Sequence, residues 1–198
     1  AFGQMEMLES GYASVGEFHY LHHQKNGSQY ENISEMSQSI IESSEETGIG
    51  LCLLPVLYER GGCDNRPLSF GQLRFGNNVE QYTKLIHDIQ KRIQHNSNFN
   101  LGVAAHSLRA VKEESLKSIA SVLKGPIHIH VAEQEQEVSE VLSSYGQRPV
   151  EWLLNNMEVN ERWSLIHCTQ MTKEETQRLS ISGAVAGLCP VTEANLGD

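Results

Sequence analysis

The sequence predicts an α/β fold, and the order of its apolar segments is the main reason. Short apolar runs typical of strands alternate with amphipathic helical segments along most of the 198 residues. Parallel strands joined by crossover helices have this order. No glycine-rich phosphate-binding motif follows any run, which weakens the case for a nucleotide-binding sheet. Polar residues recur where several strands should end, as in a (β/α)8 TIM-type barrel, and we therefore expect a barrel architecture.

The first half of the chain should contain three strands and two helices. The run Ile49–Tyr58 is almost continuously apolar, as expected for a parallel strand covered on both faces. Segment 59–78 is rich in Gly, Asn and Arg and has no clear element, and loops of this length are usually functional or mobile. The expected elements are strands at 14–21, 49–58 and 99–105, and helices at 33–46 and 79–95.

The second half continues the alternation. Thr172 and Glu175 form a capping-box pattern for a helix that should end at Gly183. Thr192, Glu193 and Asn195 should lie in a loop at the same end as the polar residues. The expected elements are strands at 126–134, 163–167 and 184–188, and helices at 112–124, 135–145, 149–157 and 172–180, which brings the total to six strands.

The segment Pro126–Gln134 carries the most informative chemistry. Its apolar residues alternate with histidines, and Glu133 follows His130 by three positions, where the strand should end. Neutral imidazole binds zinc or iron, and a carboxylate at that spacing can move protons for a metal-bound water. The alternative is a structural strand whose histidines are simply hydrogen-bonded. Both interpretations stay open on this segment alone.

Composition limits the remaining possibilities. A net charge of −10 argues against nucleic acid or an anionic membrane as the main partner. No apolar run approaches the roughly 18 residues of a membrane span. The four cysteines form no CxxC pair, and three lie in apolar runs, so we expect reduced thiols in a soluble, cytoplasmic protein of one domain.

Five segments in order along the chain resemble the metal-dependent amidohydrolase superfamily and, within it, the formimidoylglutamate deiminases. The more particular of them contain His-Ser-Leu-Arg at 106–109 and Thr-Glu-Ala-Asn-Leu-Gly-Asp at 192–198. The strand-end His-x-Ala-Glu pattern at 130–133 is shared more widely with deaminases of the superfamily. The matching segments are 15–23, 102–111, 128–134, 148–154 and 183–198.

The resemblance implies metal-dependent hydrolysis of N-formimino-L-glutamate to N-formyl-L-glutamate and ammonia, a step of histidine degradation. It implies one divalent metal ion, Zn²⁺ or alternatively Fe²⁺, and a small anionic substrate. Arg109 would bind a carboxylate of that substrate. The matched positions are His130 for the metal, Glu133 and His167 for catalysis, and Tyr20, His106 and Arg109 for the substrate.

The resemblance also has gaps, because the family carries a metal-binding His-x-His on its first strand and an Asp on its eighth. Neither is present, so residues 1–198 correspond to one partial barrel domain, approximately strands 2 to 7 with their helices. His22 and His23 are adjacent, so their side chains should point to opposite faces and cannot replace His-x-His. We therefore expect this chain alone to bind metal weakly and turn over little substrate. Two unpaired barrel edges should favour a homo-oligomer.

Two other functions remain open from the sequence. A related deaminase acting on a purine, a pterin or a similar ring would need a different set of specificity residues. A non-catalytic barrel fragment is the alternative from another class, because the metal ligands are incomplete. The cytidine-deaminase fold is disfavoured, because its His-x-Glu with Pro-Cys-x-x-Cys does not occur.

Overall fold

A curled sheet of seven parallel strands forms the centre of the protein, whose computed structural model describes residues 1–197. The strands run β1-β2-β4-β5-β6-β7 across the sheet, and β3 also pairs with β2. This half-barrel confirms the predicted incomplete TIM-type architecture. The strands are β1 Ser14–His19, β2 Gly50–Leu57, β3 Phe99–Leu101, β4 Val103–Ala105, β5 Ile127–Val131, β6 Trp163–His167 and β7 Val185–Gly187.

Helices α2 to α7 lie between strands along the chain and cover the outer face of the sheet. Helix α3 shows why: five of its residues at helical spacing are buried, and Asn78 with Gln81 forms a capping box at its start. None of the helices within residues 1–197 is long and apolar enough to cross a bilayer. The helices are α1 Phe2–Glu9, α2 Glu35–Thr47, α3 Val79–Ile93, α4 Glu113–Ala120, α5 Glu135–Tyr145, α6 Pro149–Asn156, α7 Lys173–Ser182 and α8 Pro190–Leu196, with a 3₁₀ turn at Phe70–Gln72.

The two faces of the sheet are packed differently. Ile127 and Ile129 of β5 belong to the large core between sheet and helices. The inner face carries a much smaller apolar cluster, centred on Leu54, Val56 and Ala104. Because strand side chains alternate, His128 and His130 lie on the inner face, opposite the isoleucines. The predicted alternation along this strand therefore places His130 inside the barrel.

The predicted strand at 99–105 is divided into β3 and β4 at Gly102. A Cβ at this position would lie 2.5 Å from the carbonyl oxygen of Pro126, so only glycine fits. The register along β2 is nevertheless continuous, because Leu53 faces Leu101 and Val56 faces Ala104. The third expected strand therefore appears as two short pieces, which explains seven strands where six were predicted.

Both ends of the described chain differ from expectation. Helix α1 was not predicted, because its apolar residues do not concentrate on one face, and the helix buries none of its residues. The segment expected to be a loop around Thr192, Glu193 and Asn195 is helix α8, so that prediction was wrong. Proline at the first turn favours a helix start, and Gly197 ends the helix in a left-handed conformation with φ of 77°.

Candidate active site

A row of rings crosses the carboxyl ends of the strands. The ring centroids of Tyr20 and His106 are 5.9 Å apart, those of His106 and His130 are 5.2 Å apart, and those of His130 and His167 are 5.3 Å apart. These residues come from the ends of β1, β4, β5 and β6, respectively. The structure therefore brings four of the predicted site residues together, at the end of the barrel where active sites of this fold lie.

His130 stands in the middle of the row and has an available nitrogen lone pair. Its ring stacks on Phe18 at 4.3 Å, and within residues 1–197 no side-chain hydrogen bond engages it. Burial lowers the pKa of His130 to about 4, helped by the neighbouring charges of His167 and Arg109. The imidazole is therefore neutral at pH 7, the form that binds metal, and the merely hydrogen-bonded alternative does not describe this residue.

His167 reaches the same opening through an unusual backbone conformation. Alternation along β6 would place its side chain with Leu165, on the helix-facing side of the sheet. His167 and the following Cys168 instead have positive φ values of 78° and 58°. Such conformations are strained for residues other than glycine, and they cluster at functional sites. Here the turn at the end of β6 coincides with a histidine whose side chain faces the row of site residues.

Two carboxylates flank the ring of His167. Its Nδ1 donates to Glu193 Oε1 at 3.2 Å, and its Nε2 lies 3.5 Å from Glu133 Oε1. The two predicted catalytic residues are therefore adjacent and oriented towards each other.

Glu133 is held by the start of helix α5. The buried carboxylate of Glu137 accepts the backbone N–H groups of Ala132 at 3.1 Å and Glu133 at 3.0 Å. Ala132 has a positive φ of 51°, and these two hydrogen bonds stabilise the turn. Burial raises the pKa of Glu137.

Arg109 and His106 lie on the loop that follows β4. Burial, together with the charges of His130 and Arg109, lowers the pKa of His106 to about 3. The buried Nε of Arg109 has no hydrogen-bond partner within residues 1–197. A buried donor without a partner is rare, and a bound anion would satisfy it.

Tyr20 lies at the open side of the row. Its ring packs edge-to-face on Phe75 at 4.8 Å, so the long loop after β2 reaches the site as well. Tyr20 is 36% exposed, which leaves part of the phenol accessible to a ligand. Tyr58, also from the end of β2, packs against His106 with ring centroids 4.5 Å apart.

Sequence reasoning missed the contact of Glu193 with His167. Its Oε1 accepts both His167 Nδ1 and, at 2.8 Å, the backbone N–H of Cys189. The ligand atoms of His167, Cys189 and Glu193 all lie within 4.8 Å of one another. The Cys-Pro pair directly after a strand was the available signal, because proline favours the first turn of a helix. Imidazole, carboxylate and thiol groups are donors that fit a zinc or iron ion.

His19, His22 and His23 form a separate buried cluster. His22 Nε2 donates to the carbonyl oxygen of Val56 at 2.9 Å. His23 Nε2 lies 2.8 Å from the carbonyl oxygen of Gly76 and is similarly placed to donate. Backbone carbonyl groups therefore hold the rings of His22 and His23, and the cluster lies outside the row of site residues.

This cluster should make the protein acid-sensitive. Burial lowers the pKa of His22 to about 3 and that of His19 to about 4, from a normal value near 6.5. The unfolded chain therefore binds more protons than the folded chain as the pH falls below 6.5. These histidines do not lower the free energy of unfolding above pH 6.5, and they lower it progressively as the pH drops towards 4. Each histidine contributes a slope of up to about 1.4 kcal/mol per pH unit, measurable by urea unfolding of the metal-free chain between pH 7.5 and 5.

A His22→Gln substitution should flatten this slope by about one proton, whatever it does to the absolute stability. His95→Gln is the matched control, because His95 is exposed. An unchanged slope in the His22 variant would contradict the assignment of the acid sensitivity to this cluster.

The fold and the strand-end histidines and carboxylates define a barrel protein of the amidohydrolase class. The chain belongs to the amidohydrolase family, whose model matches residues 1–198. It is 42% identical to a formimidoylglutamate deiminase from Pseudomonas aeruginosa, over 98% of this chain and 43% of that relative. It also matches the crystal structure of an amidohydrolase from Brucella melitensis, with a TM-score of 0.96 and 48% identity, over 98% of this chain and 44% of that one.

More distant relatives share only part of the sequence. A 5-methylthioadenosine/S-adenosylhomocysteine deaminase from Saccharophagus degradans is 33% identical over 49% of this chain and 22% of its own length. The chain thus spans less than half the length of the curated relatives it matches. The comparisons confirm the resemblance, whereas the roles of the individual site residues remain predictions.

Proposed function

We propose that residues 1–198 form the central part of a metal-dependent hydrolase that converts N-formimino-L-glutamate and water into N-formyl-L-glutamate and ammonia, in histidine degradation. The arrangement of Glu133 against His167, beside the neutral ring of His130, is the observation that carries this proposal. The 42% identity to a formimidoylglutamate deiminase supports the choice of substrate.

The metal would be held at His130, with Zn²⁺ as the first choice and Fe²⁺ as the alternative. The lone pair of this neutral imidazole is available, and the side chains of His167 and Glu133 lie next to it. A divalent ion at this point would supply Lewis acidity and lower the pKa of a water molecule to about 7.

The reaction moves both protons of the attacking water to the departing nitrogen. Glu133 would accept these protons one after the other, the first on attack and the second as the tetrahedral species collapses, and deliver each to the terminal nitrogen of the formimino group. The bond between the formimino carbon and that nitrogen then breaks, ammonia leaves, and the water oxygen stays on carbon as the formyl oxygen. His167, oriented by Glu193, would stabilise the attacking oxygen through Nε2.

The substrate would be held by residues of β1 and of the loop after β4. Arg109 would bind one of the two carboxylates of the substrate through charge-assisted hydrogen bonds. His106 and Tyr20 would contact the rest of the molecule, since their rings flank the same opening. A small anionic substrate is the partner that this set of residues favours.

The chain alone should turn over slowly or not at all, because His130 is the only family metal position that the resemblance places in it. We also propose that it self-associates through its sheet edges, since Val185 of edge strand β7 is 56% exposed and Leu188 is 69% exposed. Sedimentation velocity should show concentration-dependent dimers or larger species. A monomer across the micromolar range would contradict this proposal.

The proposed reaction is tested by exchanging segments between relatives. In a zinc-loaded chimera, residues 1–198 replace the matching segment of the Pseudomonas aeruginosa relative, and ammonia release is measured with N-formimino-L-glutamate. Efficient turnover supports the proposal, and the isolated 198-residue chain is measured beside it. Turnover of S-adenosylhomocysteine or a free purine, without turnover of formiminoglutamate, would select the alternative that the Saccharophagus degradans relative represents.

A further inference from the structure

The loop that carries His106 and Arg109 is fastened to the end of β2 by Arg60. This arginine is only 7% exposed, which is rare for a charged residue unless it is paired. Within residues 1–197 no carboxylate lies within salt-bridge distance of its guanidinium. Burying a charge without a carboxylate partner costs free energy, which points to a role in fixing geometry rather than in stability.

The partners of Arg60 are mostly carbonyl groups of the loop. Its Nε donates to Arg109 O at 3.1 Å, and its Nη2 donates to Leu108 O at 2.9 Å and to Val111 O at 3.1 Å. Nη2 also contacts the hydroxyl of Tyr145. The planar guanidinium can engage several acceptors at fixed angles, which a lysine ammonium cannot do.

Glu59 completes the attachment. The backbone N–H groups of Glu59 and Arg60 both donate to Ala110 O, at 2.8 and 3.2 Å. The Glu59 carboxylate accepts the backbone N–H of Lys112 at 3.0 Å, at the start of α4. Residues 59 and 60 therefore hold all four consecutive carbonyl groups of residues 108–111, the segment that positions the Arg109 side chain.

We propose that Arg60 is a positioning residue that sets the preference for a carboxylate-bearing substrate through Arg109. This inference rests on the proposed function. Arg60 fixes the backbone on both sides of Arg109, so the unpartnered Nε of Arg109 stays directed at one place. Without Arg60 the loop carbonyl groups lose their donors, and the guanidinium of Arg109 samples several positions.

The test uses the zinc-loaded chimera with Arg60→Met and Arg60→Lys. Arg162→Met is the matched control, because Arg162 also donates to three carbonyl groups, those of Ala120, Leu123 and Gly125, but before β6 begins. The substrates are N-formimino-L-glutamate and its two monoamides, N-formimino-L-glutamine and N-formimino-L-isoglutamine. Each monoamide neutralises one carboxylate.

For Arg60→Met we expect kcat/KM with the dicarboxylate to fall about tenfold, mainly through KM. The preference of this variant for the dicarboxylate over the poorer monoamide should fall by a similar factor. Arg60→Lys should lose most of that preference although it keeps the charge, and Arg162→Met should keep it. Equal losses on all three substrates, or no loss, would overturn the proposal, because a purely structural role predicts them.

Amide hydrogen exchange on the 198-residue chain gives a readout that does not depend on turnover. Residues 106–112 should exchange faster in Arg60→Met than in Arg162→Met, and an unchanged rate would overturn the positioning role. If the parent chimera does not hydrolyse formiminoglutamate, the proposed function itself is wrong, and the proposed role of Arg60 in substrate preference is wrong as well. An active parent whose substrate preference survives Arg60→Met overturns the role of Arg60 alone.

Discussion

Replacing Glu133 with glutamine should lower the rate of ammonia release from N-formimino-L-glutamate by roughly 10²–10⁴-fold, the usual contribution of a general acid–base group. Glutamine has nearly the same shape but cannot take up a proton. The backbone N–H that Glu137 holds is unchanged, so the side chain should stay beside His167. KM should change little, and the effect should appear in kcat, measured in the zinc-loaded chimera.

Glu135→Gln is the matched control for this experiment. Glu135 lies two residues further along, at the start of α5, and is exposed, so its loss should change kcat by less than about twofold. Zinc content is measured for both variants, because loss of the metal would lower kcat in the same way as loss of the general base. A Glu133→Gln variant that retains zinc and keeps more than a tenth of the parental kcat would rule out the proposed proton transfer.

The sequence predicted the barrel because parallel strands leave two kinds of local signal. Buried strands such as β2 are almost entirely apolar, and half-buried strands such as β5 alternate. Both patterns depend on neighbours along the chain. His130 could therefore be placed on the face opposite the isoleucines from the sequence alone, and Glu133 could be placed at the strand end.

Other features of the site could not be read in this way, because they depend on contacts between distant segments or on unusual backbone angles. Alternation alone assigns His167 to the helix-facing side, whereas its ring in fact lies beside that of His130. The backbone of His167 has a positive φ at this point, which the sequence does not reveal. The hydrogen bond from Glu193 to His167 spans 26 residues, and the contacts of Arg60 with residues 108–111 span about 50. No local pattern encodes either of them.

Replacing Arg109 with methionine should raise KM for N-formimino-L-glutamate by about 10–100-fold, since a hydrogen bond to a charged group contributes about 1.5–3 kcal/mol. The free Nε and the nearby His106 place Arg109 where a substrate carboxylate would complete its hydrogen bonding. Methionine retains much of the length and apolar packing of the side chain. Arg109→Lys should recover only part of the loss, because lysine lacks the bidentate geometry.

The comparison between substrates decides whether this loss reflects anion recognition. If Arg109 binds a carboxylate, the variant should lose its preference for the dicarboxylate over one monoamide and keep it over the other, because the partner carboxylate is missing in only one of them. Arg92→Met controls for net charge, since Arg92 is paired with Glu45 on the outer surface. A uniform loss on all three substrates would instead assign Arg109 to the packing of the loop after β4, and the anionic-substrate proposal would lose its main residue.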